Sequence, residues 1–109
     1  MARYSVAFAL PIGTDVSFSE DGWEFKSPAP LSLNVKSEFI SKFNLELVEC
    51  YSGVEKFSVD GLEFLVFYND LHAIEYIYFK IYDKSFLVKL REYWSDNLRD
   101  YCYLFFPGE

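Results

Sequence analysis

The residues able to do chemistry in this chain are few and scattered. His72 is its single histidine, and Cys50 and Cys102 are its only thiols. A hydrolytic triad needs a base beside a nucleophile and a third group that orients it. The sequence has no Gly-x-Ser-x-Gly elbow, neither cysteine has reactive-site surroundings, and His72 sits in a turn near Asp70, where a surface role is expected. One histidine and two distant cysteines lack zinc spacing. The pairs Asp21-Gly22 and Asp60-Gly61 lack the alternating ligands and closing glutamate of a calcium loop. No glycine-rich phosphate loop occurs. The expectation is a chain with no catalytic residue, no metal and no cofactor. An enzyme or small-ligand domain would instead need an aromatic-lined pocket with convergent polar groups, around His72 and the tyrosines.

Carboxylates and aromatic rings are in surplus. The 109 residues include 12 Phe, 9 Tyr and 2 Trp, and the formal net charge is −7. Residues 1–79 hold 12 acids against 5 bases, whereas residues 80–109 hold 5 of each. So many rings leave two choices: a core that is nearly all aromatic, or rings on a surface meant for a partner. An acidic field repels phosphate and anionic lipid, so direct binding to nucleic acid or membrane is disfavoured and a basic protein partner is favoured. Acidity also keeps an aromatic-rich domain in solution, which needs no partner at all.

Three groups of residues are candidates for such a partner. Glu20, Asp21 and Glu24 cluster at a hairpin tip beside Trp23, an aromatic anchor rimmed by acids. Tyr76, Tyr78 and Tyr82 place phenols along one strand face, where they would suit a half-wet interface, a homodimer contact, or cover by a helix. Glu92, Asp96 and Asp100 stand at successive i,i+4 positions of a helix, where like charges cost a few tenths of a kcal/mol per pair. Lys89, Arg91 and Arg99 could neutralise that row.

The elements that must position these groups follow from period and turn chemistry. Tyr4, Val6, Phe8 and Leu10 alternate with Ser5, Ala7 and Ala9, giving a strand with one bulky face and one small face on which a helix can pack. A type I′ turn at Asp21-Gly22 would pair Glu20 with Trp23 and Phe18 with Phe25, putting Val16, Phe18, Trp23 and Phe25 on one face. Ser27-Pro28-Ala29-Pro30 is a stiff connector. Asn34 is expected to cap a helix over residues 35–43, closed by Asn44 and followed by a strand over 45–51. A second turn at Asp60-Gly61 pairs Val59 with Leu62, Phe57 with Phe64 and Glu55 with Val66. A strand over 74–82 completes a three-stranded meander. Asp83 or Ser85 caps a helix over 84–100 with Leu87, Leu90, Trp94, Leu98 and Tyr101 along its apolar stripe. A final strand runs to Phe106 and stops at Pro107-Gly108.

The fold class expected is α+β in a single domain: a mainly antiparallel sheet of six to eight strands, with two helices and the C-terminal one packed on the sheet. Both cysteines lie in apolar runs and are expected as buried free thiols, with a Cys50–Cys102 disulfide left open. The stretch from Arg3 to Ile12 is too short and too alternating for a signal peptide. No apolar run reaches the ~20 residues of a membrane span, so a cytoplasmic protein is expected. Together these features favour a non-enzymatic inhibitor of the immunity-protein type, which neutralises a basic toxin such as a nuclease by occluding its active site. The alternatives are a phage-encoded inhibitor of a host defence complex that mimics nucleic acid, and a small ligand-binding domain or enzyme.

Overall fold

Side-chain alternation shapes the central strands of the computed structural model, which describes residues 5–107. Arg3, Tyr4 and Gly108 lie outside the described residues. Strands β4 (Glu46–Tyr51), β5 (Val54–Val59), β6 (Leu62–Tyr68) and β7 (Ile74–Ile81) form an antiparallel meander. The N-terminal strand β1 (Ser5–Leu10) inserts between β7 and the last strand, β8 (Tyr103–Phe105), giving the order β4-β5-β6-β7-β1-β8. A separate two-stranded hairpin consists of β2 (Asp15–Ser19) and β3 (Gly22–Lys26). With helices α1 (Leu33–Phe43) and α2 (Lys84–Tyr93), the architecture is α+β.

One face of the sheet carries the helices. Ala7, Ala9, Phe57, Leu62, Phe64, Val66, Ile77, Phe79, Ile81 and Leu104 are buried there. Phe39 of α1 sits edge-on to Phe79 at 5.1 Å and to Phe64 at 6.2 Å between ring centroids. Val35, Phe39 and Phe43 are the buried stripe of α1, as the spacing predicts. The helix starts earlier than expected, because Ser32 rather than Asn34 is the N-cap; its Oγ accepts from the Asn34 N–H at 3.1 Å. Asn44 closes the helix with φ 53° in the left-handed region, as expected.

The C-terminal helix departs from a plain α-helix. Asp83 caps α2 through the Ser85 N–H at 2.9 Å, but after Tyr93 the chain continues as a π-turn over Trp94–Leu98. Helical residues stop at Leu98, short of the expected end at residue 100, and a turn carries the chain to Cys102. Leu90 and Leu98 are buried on the expected stripe and Cys102 is buried beyond it, whereas Tyr101, which a continuous 3.6-residue period puts on the stripe, is 65 % exposed in the turn. Trp94 is held by its Nε1–H donating to the Cys102 carbonyl at 2.9 Å.

The two Asp-Gly turns behave differently. The second gives the register read from the sequence, with Val59 opposite Leu62, Phe57 opposite Phe64 and Glu55 opposite Val66. In the first, Ser19 faces Gly22, Phe18 faces Trp23 and Val16 faces Phe25, so the tip is Glu20-Asp21 and not Asp21-Gly22. A type I′ turn needs positive φ at both central residues. Here only Gly22, at φ 108°, has it, so the glycine sits just past the tip. The register moves by two in pair sum, which preserves parity. Val16, Phe18, Trp23 and Phe25 still share a face.

Candidate functional site

The hairpin lies on the sheet face opposite the helices and roofs the β7-β1-β8 side. Phe25 packs against Phe8 at 4.9 Å and against Tyr76 at 5.3 Å, and Trp23 meets Phe105 edge-on at 5.0 Å. Below them Phe8 stacks on Tyr78 at 4.8 Å, and Phe67 stacks on Tyr76 at 4.6 Å. The tyrosine face thus has an aromatic hairpin as its cover, where a helix was the expected cover. Burial, with the nearby Glu75 and Tyr78 adding to it, pushes the Tyr76 phenol up from its ordinary value. Tyr82 is not part of this face: β7 ends at Ile81, and the Tyr82 N–H donates to the Gly61 carbonyl at 2.9 Å.

The roof leaves part of its own aromatic face open. β2 and β3 are five residues each, while the edge strand β8 is three. Phe25 and Val16 find partial cover, but Trp23 stays 39 % exposed and Phe18, paired ring to ring with Trp23 at 4.8 Å, is 68 % exposed. Tyr103 of β8, 43 % exposed, and Ile12 continue the apolar surface beneath. Residues 15–26 carry the acids Asp15, Glu20, Asp21 and Glu24 against one base, Lys26. All four carboxylates are exposed. Ser19 Oγ organises the tip, accepting from the Asp21 N–H at 3.2 Å and lying 3.1 Å from Glu24 Oε1.

The structure keeps Glu20, Asp21, Trp23 and Glu24 on one hairpin, with Glu24 on the face opposite Trp23, and only Trp23 of the four lines, with Tyr76, a groove of about 390 Å³ between β3, the Ser27–Pro30 connector and the start of β7. Tyr78 lies deeper on the same face. Glu92, Asp96 and Asp100 do not join this group, because α2 and its π-turn pack on the other face of the sheet. All three are exposed, and Asp100 stands in the turn beyond the helical residues. Sequence reasoning missed Phe18, Tyr103 and Ile12. The legible signal was the set of Val16, Phe18, Trp23 and Phe25 on one face of a single hairpin.

A second polar cluster also went unread. Lys36 of α1 reaches across to β5 and β6, its Nζ 2.7 Å from Glu55 Oε1 and 2.8 Å from the Tyr68 hydroxyl, which donates to Glu55 Oε1 at 2.5 Å. Burial opposes charge on both partners, but the hydrogen bonds outweigh it, holding the Lys36 amine above and the Glu55 carboxyl below their ordinary values. Burial and the bond to Glu55 raise the Tyr68 phenol. Cys50, Tyr51 and His72 line a shallow groove of about 250 Å³ beside Glu55 and Tyr68. This is the setting in which a ligand domain was to be sought. Its central polar atoms engage one another across 19 and 32 residues of sequence, a separation that no local pattern announces.

Cys50 is exposed, contrary to expectation, because β4 is an edge strand with no layer over it; Cys102 is buried, and both are free thiols. Among the described residues no group of three His, Cys, Asp or Glu side chains converges for a metal ion, and no helix is long and apolar enough to cross a membrane. Comparison with protein-family models, with curated proteins and with solved structures gave no match.

Proposed function

We propose that this chain is a protein-binding inhibitor of the immunity-protein type, which covers the substrate site of a basic toxin. The observation that carries the reading is an exposed aromatic run, from Phe18 and Trp23 through Phe105 to Tyr103, on and beneath a hairpin whose Asp15, Glu20, Asp21 and Glu24 are all exposed. Rings of this kind supply binding energy on desolvation, while a ring of carboxylates steers and aligns a cationic surface. A protein that holds phosphate with Lys and Arg presents that surface at its active site. The acid row on the C-terminal helix, which nucleic-acid mimicry would use, ends after Asp96 because Asp100 has left the helix.

Capture with the immobilised chain tests the reading. Retention of a basic protein that weakens steeply as salt rises, and that is lost in the combined E20Q, D21N and E24Q variant, is the expected result. An acidic partner, or retention indifferent to salt, overturns it.

A further inference from the structure

The groove between β3, the Ser27–Pro30 connector and the start of β7 has a lining that selects its occupant. Three aromatic rings line it, Trp23, Phe25 and Tyr76, and Glu75 is its one carboxylate; no lysine, arginine or histidine is among its walls. Phe25 and Tyr76 meet at 61° with centroids 5.3 Å apart, so their rings form a corner and not a flat sheet. Glu75 and Tyr76 are neighbours in β7, and plain alternation would send them to opposite faces. A bulge interrupts that alternation: Phe67 pairs with Tyr76 and Tyr68 with Ile74, which leaves Glu75 as the extra residue, and both side chains line the groove. Glu75 is exposed and belongs to neither ion pair between described residues, Lys36–Glu55 or Lys56–Glu63. The connector wall is fixed at both ends. Ser27 Oγ lies 2.8 Å from Thr14 Oγ1, and the Leu31 N–H donates to the Ile74 carbonyl at 2.9 Å. Pro28 and Pro30 stiffen the stretch between, so the groove is formed before an occupant arrives and the ordering cost of binding is low.

We infer that this groove is a receptor for an arginine side chain, by which a basic partner anchors beside the hairpin. That the arginine belongs to the partner rests on the proposed function; the receptor itself does not. A guanidinium is planar, weakly hydrated and rich in donors, so it packs against aromatic rings while its N–H groups bond a carboxylate such as Glu75. A lysine ammonium is a compact, strongly hydrated charge that forfeits more on leaving water and cannot fork onto the carboxylate. A purely apolar occupant would use the rings and leave Glu75 without a partner. An anion would meet Glu75 with no base in the walls to offset it. The acids of the hairpin have a separate part. Glu20, Asp21 and Glu24 do not line the groove, so they steer the approach while Glu75 holds the side chain that has arrived.

The probe is N-acetyl-arginine amide, compared with N-acetyl-lysine amide and with the uncharged isostere N-acetyl-citrulline amide. Titrated into the isotope-labelled chain and followed by NMR, the arginine compound should move the Trp23 indole N–H and the Asn69 and Glu75 amides to a saturating limit. It should bind at least about tenfold more tightly than citrulline, and more tightly than lysine. Glu75→Gln should weaken arginine binding about tenfold, and Trp23→Ala about threefold. Equal binding of citrulline and arginine, or shifts confined to Asp15, Glu20, Asp21 and Glu24, overturns the receptor; equal binding of lysine overturns the choice of a guanidinium. In partner capture, Glu75→Gln should shorten retention, and unchanged retention removes the partner's arginine from the groove. If the groove takes no arginine while salt-sensitive capture of a basic protein persists, the receptor fails and the inhibitor reading stands. If it takes arginine and no basic protein is captured, the receptor stands and the inhibitor reading falls.

Discussion

Two thiols in one chain are distinguished here by burial alone. Burial pushes the Cys102 thiol up to about 12, while Cys50 lies open on β4. A thiol-specific reagent at neutral pH should therefore titrate one cysteine in the native protein and two after unfolding, with mass spectrometry placing the first label on Cys50. A thiol kept neutral in the folded state also means that stability falls as pH rises from the ordinary thiol value toward 12, because the unfolded chain ionises first. The Lys36–Glu55–Tyr68 cluster acts at the opposite end. Its carboxyl is held below the ordinary 4.5, so its contribution is complete above that value and is lost as pH falls through the lowered one. Urea midpoints measured from neutrality into acid should show a shallower acid limb for Glu55→Gln than for the wild type. An unchanged limb would deny the cluster any stabilising role. The residue scale is where sequence reading reached least, since nothing local marks Lys36 as the partner of Glu55.

At the scale of elements, two glycines with the same turn signature should respond differently. Gly61 has φ 93°, and a Cβ there would come within 3.0 Å of Asp83 Cβ and of the Phe86 ring. The turn is wedged against the start of α2, and its carbonyl accepts from Tyr82 and Asp83. Gly61→Ala adds a steric clash to backbone strain and should cost about 3 kcal/mol. Gly22, at φ 108°, has nothing within 4 Å, so Gly22→Ala should cost only the strain, about 1 kcal/mol. Denaturant titration of both variants checks the order; equal losses would refute the docking of the second turn. Removing the α1 cap in Ser32→Ala should cost about 1 kcal/mol by the same measurement. Element types were legible because turn glycines, period-two strands and the left-handed Asn44 cap are near-neighbour properties. Caps and ends were less so: Ser32 and Asn34 compete for one role, and the π-turn over Trp94–Leu98 interrupts a period that the sequence carries on to Tyr101.

For the whole molecule, the surplus rings are divided between a core and a surface. Phe39 is fully buried between Phe64 and Phe79, and Phe39→Ala should cost about 3–5 kcal/mol. Phe18→Ser removes a ring that is mostly in water and should change stability by no more than about 1 kcal/mol. Its expected effect is on partner capture, and a fully retained partner would remove Phe18 from the interface. By itself the sequence determined the strands and their faces, the meander register, the α1 stripe and the acidic-aromatic hairpin. Alternation and glycine conformation are set by residues that are close along the chain. Only the tertiary structure decided that the helices take one face and the hairpin the other, since β7 offers Ile77 and Phe79 on one side and Tyr76 and Tyr78 on the opposite side. It also decided that Trp23, although it meets Phe105 of β8, and Phe18 remain open to solvent. How far one element extends over another depends on the packing of segments remote in sequence, which no local period encodes.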